Sequence, residues 1–220
     1  MECALLICTA SLMERRRKFI CATAVGAVLW AGFVAGGVRV LLNYESAPGP
    51  VAAVPNSWPG SRVPLAQDRM TLVMLAHPRC PCTRASVGEL ARIMADVQGQ
   101  AVAYVLFAKP ANAGADWDDT DLRRSAAAIP GVTTLTDDDG AEALRFGAET
   151  SGHTLLFAPD GRLLFNGGIT ETRGHAGDND GESAIVALVH RQPVERSQTF
   201  VFGCRLPAPG QPTPLTLAER

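Results

Sequence analysis

Hydrophobic and polar positions divide the chain into one long apolar block followed by a regular alternation of short elements. Phe19 to Val38 is a run of twenty residues without a charge. At about 1.5 Å rise per residue, such a helix spans the ~30 Å hydrocarbon layer of a bilayer. Residues 44–68 then carry five prolines and no periodic pattern, which predicts an extended tether with Trp58-Pro59 packed against a domain edge. After it the periodicity changes. Thr71 to Ala76 is an uncharged stretch of strand length, and Val87, Leu90, Ile93 and Met94 recur at helical spacing over about 82–97. Strands follow at 101–107 and 132–136, separated by a helix at about 117–128. A helix at about 139–146 leads to strands at 153–158 and 162–167, joined by the turn Ala158-Pro159-Asp160-Gly161. A glycine-rich loop over 167–181 and a helix ending near His190 complete the pattern. The expected organisation is 1–18 as a short cytoplasmic N-terminus, 19–42 as a membrane anchor and 43–68 as a Pro-rich linker. Residues 69–206 form the domain, and 207–220 form a flexible tail.

Charge sets the expected orientation. Arg15-Arg16-Arg17-Lys18 directly precedes the apolar run, and the positive flank predicts the N-terminus inside and the rest outside, as in a single-pass inner-membrane protein with a periplasmic domain. A cleaved signal peptide would have a shorter apolar region with a small-residue cleavage site close behind it, whereas this run continues into Arg39-Val40-Leu41-Leu42. Met13 competes with Met1 as the start residue. A net charge of −2 with no basic stripe beyond residues 15–18 gives no case for nucleic acid. The acidic run Asp116, Asp118, Asp119 and Asp121 reads as helix-start capping.

Composition then isolates the chemistry. Of six cysteines, Cys3, Cys8 and Cys21 lie in or before the apolar block and read as small apolar residues. Cys80, Cys82 and Cys204 lie in the exported part, where disulfides persist. Cys80-Pro81-Cys82 sits where a strand meets a helix. A thiol there faces unpaired N–H groups and the positive end of the helix dipole, with Arg79 and Arg84 adding charge. Cys204 stands fourteen residues past the last helix, on a segment that reaches ~45 Å if stretched and so can return to the motif. His153 begins the strand at 153–158, and Arg173 and His175 lie in the glycine-rich loop over 167–181. His77 and His190 are weaker candidates, at a strand end and a helix C-terminus.

The element order, with a cysteine motif directly after the first core strand, resembles the thioredoxin-like superfamily over roughly residues 66–190. It is closest to the branch with an inserted helix and strand, which includes peroxiredoxin-like, TlpA-like and Sco-like proteins. The resemblance implies a three-layer α-β-α fold preceded by one transmembrane helix. Within it, His77-Pro78-Arg79-Cys80-Pro81-Cys82, Ser151-Gly152-His153, Gly167-Gly168-Ile169-Thr170, Arg173-Gly174-His175 and Val201-Phe202-Gly203-Cys204 resemble the bacterial RedB proteins. Thioredoxins carry two residues between their cysteines and a cis-proline before the third core strand; this chain has one residue and Gly152-His153. Two alignment frames follow, one with Cys80 as the capping, exposed nucleophile, the other with Arg79 in that place and Cys82 resolving. The first is preferred. The expected function is a membrane-anchored thiol–disulfide oxidoreductase without a cofactor, acting on periplasmic protein thiols or a redox partner. Cys80 attacks, Cys82 resolves, His153 or His175 moves protons, and Cys204 is a further thiol. The alternative is a Sco-like copper-delivery protein, with Cys80, Cys82 and His153 as ligands and Cys204 or His175 as further ones.

Overall fold

The computed structural model describes the backbone of residues 2–210 and the side chains of residues 15–210. The side chains of Cys3 and Cys8, the start residue and the tail 211–220 therefore lie outside the described residues. The N-terminal unit is one helix, α1 (Glu2–Ser46), longer than the expected anchor. Its stretch Arg15–Ser46 has a mean hydropathy of 2.0 in its most apolar window, and by length and composition it can cross a membrane.

The second unit is an α/β domain with nine elements. They are β1 (Met70–Ala76), α2 (Pro81–Asp96), β2 (Ala101–Lys109), α3 (Asp121–Ala127), β3 (Val132–Asp138), α4 (Ala141–Phe146), β4 (His153–Phe157), β5 (Leu163–Gly167) and α5 (Asp180–Val189). The sheet order is β3-β2-β1-β4-β5. The first three strands run parallel, and β4 and β5 are antiparallel to their neighbours. This is the thioredoxin-like arrangement with an inserted α3-β3, as the element order implies.

Strand alternation sorts the core into two layers. On one face Leu72, Met74, Val105, Phe107, Leu156 and Phe165 pack with Leu90 and Ile93 of α2 and Ile185 of α5. On the other, Val73, Leu75, Leu106, Leu155 and Phe157 pack with Phe146 of α4 and with Val63 and Trp58. Trp58 sets its ring edge-on to Phe146 and Phe157 at 5.4 and 4.9 Å.

Three expected boundaries move. The Pro-rich segment is docked from Gly49 onward rather than free. Gly49 N donates to Val201 O at 2.8 Å, Trp58 N to Gly161 O at 2.7 Å, and Leu163 N to Asn56 O at 3.0 Å. Prolines remove donors from this segment but leave carbonyls and apolar side chains that the domain edge can use. Next, α3 begins only at Asp121, because Thr120 caps it by accepting from Arg123 N at 3.3 Å. The preceding acids do other work. Asp118 is buried against Arg123 and accepts from Thr136 at 2.6 Å, while Asp119 pairs with Arg124 at 2.6 Å. At the other end, residues 207–210 lie along α4, where Gly210 N donates to Asp139 Oδ2 at 3.2 Å.

Candidate functional site

Cys80 occupies the N-cap of α2 with extended backbone angles, and Pro81 takes the first helical position, where a missing N–H costs nothing. Its side chain makes no capping bond of ordinary geometry. Cys80 is 2% exposed, against the expectation of an exposed capping thiol, and Cys82 two residues on is half-buried. The burial comes from chain that returns from far away. After α5 the polypeptide pairs with the β5 edge, Asn166 N donating to Ser197 O at 3.0 Å, and then crosses to the segment before β4. There Ser151 N donates to Cys204 O at 2.8 Å. Gly203 is needed at that crossing, since a Cβ on it would collide with the Ser151 carbonyl.

This strap sets Cys204 beside Cys80. Hydrogen bonding from the Cys204 thiol is the main influence holding Cys80 down to about 4, outweighing burial, and the Thr83 hydroxyl adds to it. The same bond pushes the Cys204 thiol far above its ordinary value, burial and the negative charge of Cys80 reinforcing it. Cys82 is also raised, by burial first and by the Cys80 charge second. One thiolate is thus held by protonated neighbours. Arg173 opposes the rise at both Cys82 and Cys204 and donates to Gly203 O. Gly174 brings this loop against Cys82, and Gly177 N anchors it by donating to buried Glu89 Oε1 of α2 at 2.8 Å.

The flanking arginines expected to activate Cys80 are engaged elsewhere. Arg84 is exposed and bonds Asp121 at 2.6 Å. Arg79 lies over the Trp117 ring at 4.0 Å, a cation–π contact. His77 accepts from Arg79 N at 3.2 Å through Nδ1 and meets Trp117 edge-on at 6.0 Å. Desolvation lowers its pKa, partly offset by the Cys80 charge.

The expected meeting of His153 with the cysteines does not occur. His153 pairs with Leu75 and shares a strand face with Leu155 and Phe157, so its ring goes to the α4 side while α2 covers the opposite side. There it is fully buried, and its Nε2 donates to Asn166 Oδ1 at 2.5 Å. Its Nδ1 has no partner, and burial lowers its pKa. His175 is exposed in the loop, two residues beyond Arg173. His190 is the exposed C-cap of α5, and Asn179 caps its other end, its side chain accepting from Glu182 N. Among the described residues no group of three or more His, Cys, Asp or Glu side chains is arranged to hold a metal ion.

The sequence assigns no role to two site residues, although Ser151 lies in the Ser151-Gly152-His153 stretch. Thr83 and Ser151 are 1% and 0% exposed, and their hydroxyls are 2.6 Å apart, with Ser151 Oγ also accepting from His77 N at 2.7 Å. No peptide bond among the described residues is cis; Gly152 instead turns the chain at φ +90°.

No protein-family model matches the chain, and no curated protein does. Solved structures share its fold. An uncharacterized conserved protein from Geobacillus kaustophilus aligns with a TM-score of 0.56 at 17% identity, over 76% of this chain and 95% of that one. A hypothetical protein from Sinorhizobium meliloti 1021 aligns with a TM-score of 0.54 at 21% identity, over 75% and 96%. A secreted disulfide oxidoreductase from Mycobacterium tuberculosis is a looser likeness, with a TM-score of 0.41 and 18% identity over 56% and 83%.

Proposed function

We propose that this chain is a membrane-anchored thiol–disulfide oxidoreductase of RedB-like type, its domain outside the membrane and its substrates the disulfides of exported proteins. The observation that carries the reading is the gathering of Cys80, Cys82 and Cys204 around a single favoured thiolate. Cys80 attacks a substrate disulfide, one substrate sulfur leaves as thiolate, and a mixed disulfide forms. That step removes the negative charge from Cys80. The bond that chiefly restrained Cys204 disappears with it, and Arg173 then favours the Cys204 thiolate. Cys82 gains less, because burial is its chief restraint and persists. A disulfide across the single residue Pro81 is moreover strained. Cys204 therefore attacks Cys80, releases the second substrate thiolate and leaves a Cys80–Cys204 disulfide, which an external dithiol must reduce with two electrons.

The anchor reading rests on the Arg15–Ser46 span with its basic N-terminal flank. The copper-delivery alternative loses His153 as a ligand, because His153 is held by Asn166 on the other face of the sheet. Trapping with a peptide disulfide tests the assignment. Cys80→Ser should abolish exchange, Cys204→Ser should accumulate the mixed disulfide, and Cys82→Ser should still turn over. Accumulation in Cys82→Ser instead would reassign the resolving thiol. Wild-type protein with reduced thiols and no exchange activity would end the oxidoreductase reading.

A further inference from the structure

We propose that Ser151 is a positioning residue for Cys80, turning the Thr83 hydroxyl so that its hydrogen is given to the sulfur. The inference rests on Cys80 being the attacking thiolate. Direction along the hydrogen bonds supplies the argument. The His77 amide can only donate, and it donates to Ser151 Oγ at 2.7 Å. A hydroxyl has one hydrogen, so Ser151 has that one left to place. Among the described residues its only further partner is Thr83 Oγ1 at 2.6 Å. Thr83 therefore accepts from Ser151, and its own hydrogen is left for Cys80, which the helix start holds against Thr83, the Thr83 N–H donating to Cys80 O at 3.2 Å. The reverse assignment spends the Thr83 hydrogen on Ser151 and leaves the Ser151 hydrogen without an acceptor in a site closed to water. A charged sulfur is also the better acceptor.

The backbone clamps Ser151 in this role. Its N–H is given to Cys204 O at 2.8 Å, and the next N–H, of Gly152, to Leu75 O at 2.8 Å. Gly152 makes the approach possible, because a Cβ there would stand 2.9 Å from Ser86 Oγ. The same Thr83 hydroxyl is among the groups that favour the Cys80 thiolate. The titratable and charged groups around Cys80 are His77 and Arg79 before it, Cys82 after it, Cys204 on the strap and Arg173 on the loop. None of them is altered by the substitutions below.

The test follows iodoacetamide labelling of the Cys80 peptide against pH, by mass spectrometry, on the full chain in detergent. Thr83→Val should raise the labelling midpoint by about one pH unit, the worth of one hydrogen bond to the thiolate. Ser151→Ala should raise it by roughly half as much, and Thr83→Ser should leave it in place. The Thr83→Val/Ser151→Ala double variant should match Thr83→Val alone, because Ser151 acts only through Thr83. A Ser151→Ala midpoint equal to wild type, with only the melting temperature lowered, would make Ser151 structural and overturn the proposal. Additive shifts in the double variant would do the same. Should Ser151→Ala fail to fold, equal midpoints for Thr83→Val and Thr83→Ser overturn it. A wild-type midpoint at the ordinary cysteine value removes the thiolate reading as well. A low wild-type midpoint with normal exchange and an inert Ser151 removes this inference alone.

Discussion

Ser151 and His153 are separated by one glycine, yet they serve opposite faces of the sheet. On the α2 side, Ser151 joins a chain of buried polar groups in which each hydrogen has an acceptor, from the His77 amide through Thr83 toward Cys80. On the α4 side, His153 makes one bond to Asn166 and leaves its buried Nδ1 without a partner. Sharing one end of a sheet is therefore not sharing a site. The turn at Gly152, just ahead of the strand, decides whether a polar side chain meets the thiols or the apolar core. The difference also separates two kinds of cost: charge placement on one face, packing on the other.

That separation can be tested by substitution on each face. The largest effect on stability is expected at Phe146→Ala, which empties a fully buried ring from the α4 layer and should cost about 3–5 kcal/mol in denaturant unfolding. The Cys80 labelling midpoint should not move. His153→Ala comes next, at roughly 2–4 kcal/mol for the lost ring and the unpaired Asn166. Peptide-disulfide exchange by the folded fraction should persist. A His153→Ala midpoint raised more than that of Ser151→Ala would break the comparison, since it would tie both faces to one site.

A pH series sharpens it from the thiol side. The reactive form is the thiolate, and Cys80 is an acid held down to about 4. Labelling of Cys80 should stay level from pH 8 through pH 6 and fall only as pH drops toward about 4. A fall already complete at pH 6 would show that the strap does not hold the thiolate as described. The smallest effect is expected for Arg84→Ala, which removes an exposed ion pair with Asp121 and should leave the Cys80 profile unchanged. A raised midpoint there would restore the flanking arginine as an activator.

Much of the framework was legible because it is written in local periodicity. The 3.6-residue spacing of Val87, Leu90, Ile93 and Met94, the turn at 158–161 and the uncharged run at 71–76 each place an element whatever surrounds it. Cys80-Pro81 at a strand–helix junction likewise marks a capping thiol from sequence neighbours alone. The docking of residues 49–66 was legible only at Trp58-Pro59, since its backbone-to-backbone hydrogen bonds go to chain a hundred residues or more away.

Local pattern thus determined the order and type of the elements, the apolar N-terminal span and the presence of a thiol at a helix start. Tertiary structure decided what that thiol meets. The strap's return brought Cys204 within hydrogen-bonding reach and buried Cys80, and the turn at Gly152 put Ser151 rather than His153 on the thiol side. A cysteine's ionisation follows from the few polar hydrogens that surround its sulfur, and here two of the most important belong to Thr83 beside it and Cys204 at the far end of the chain.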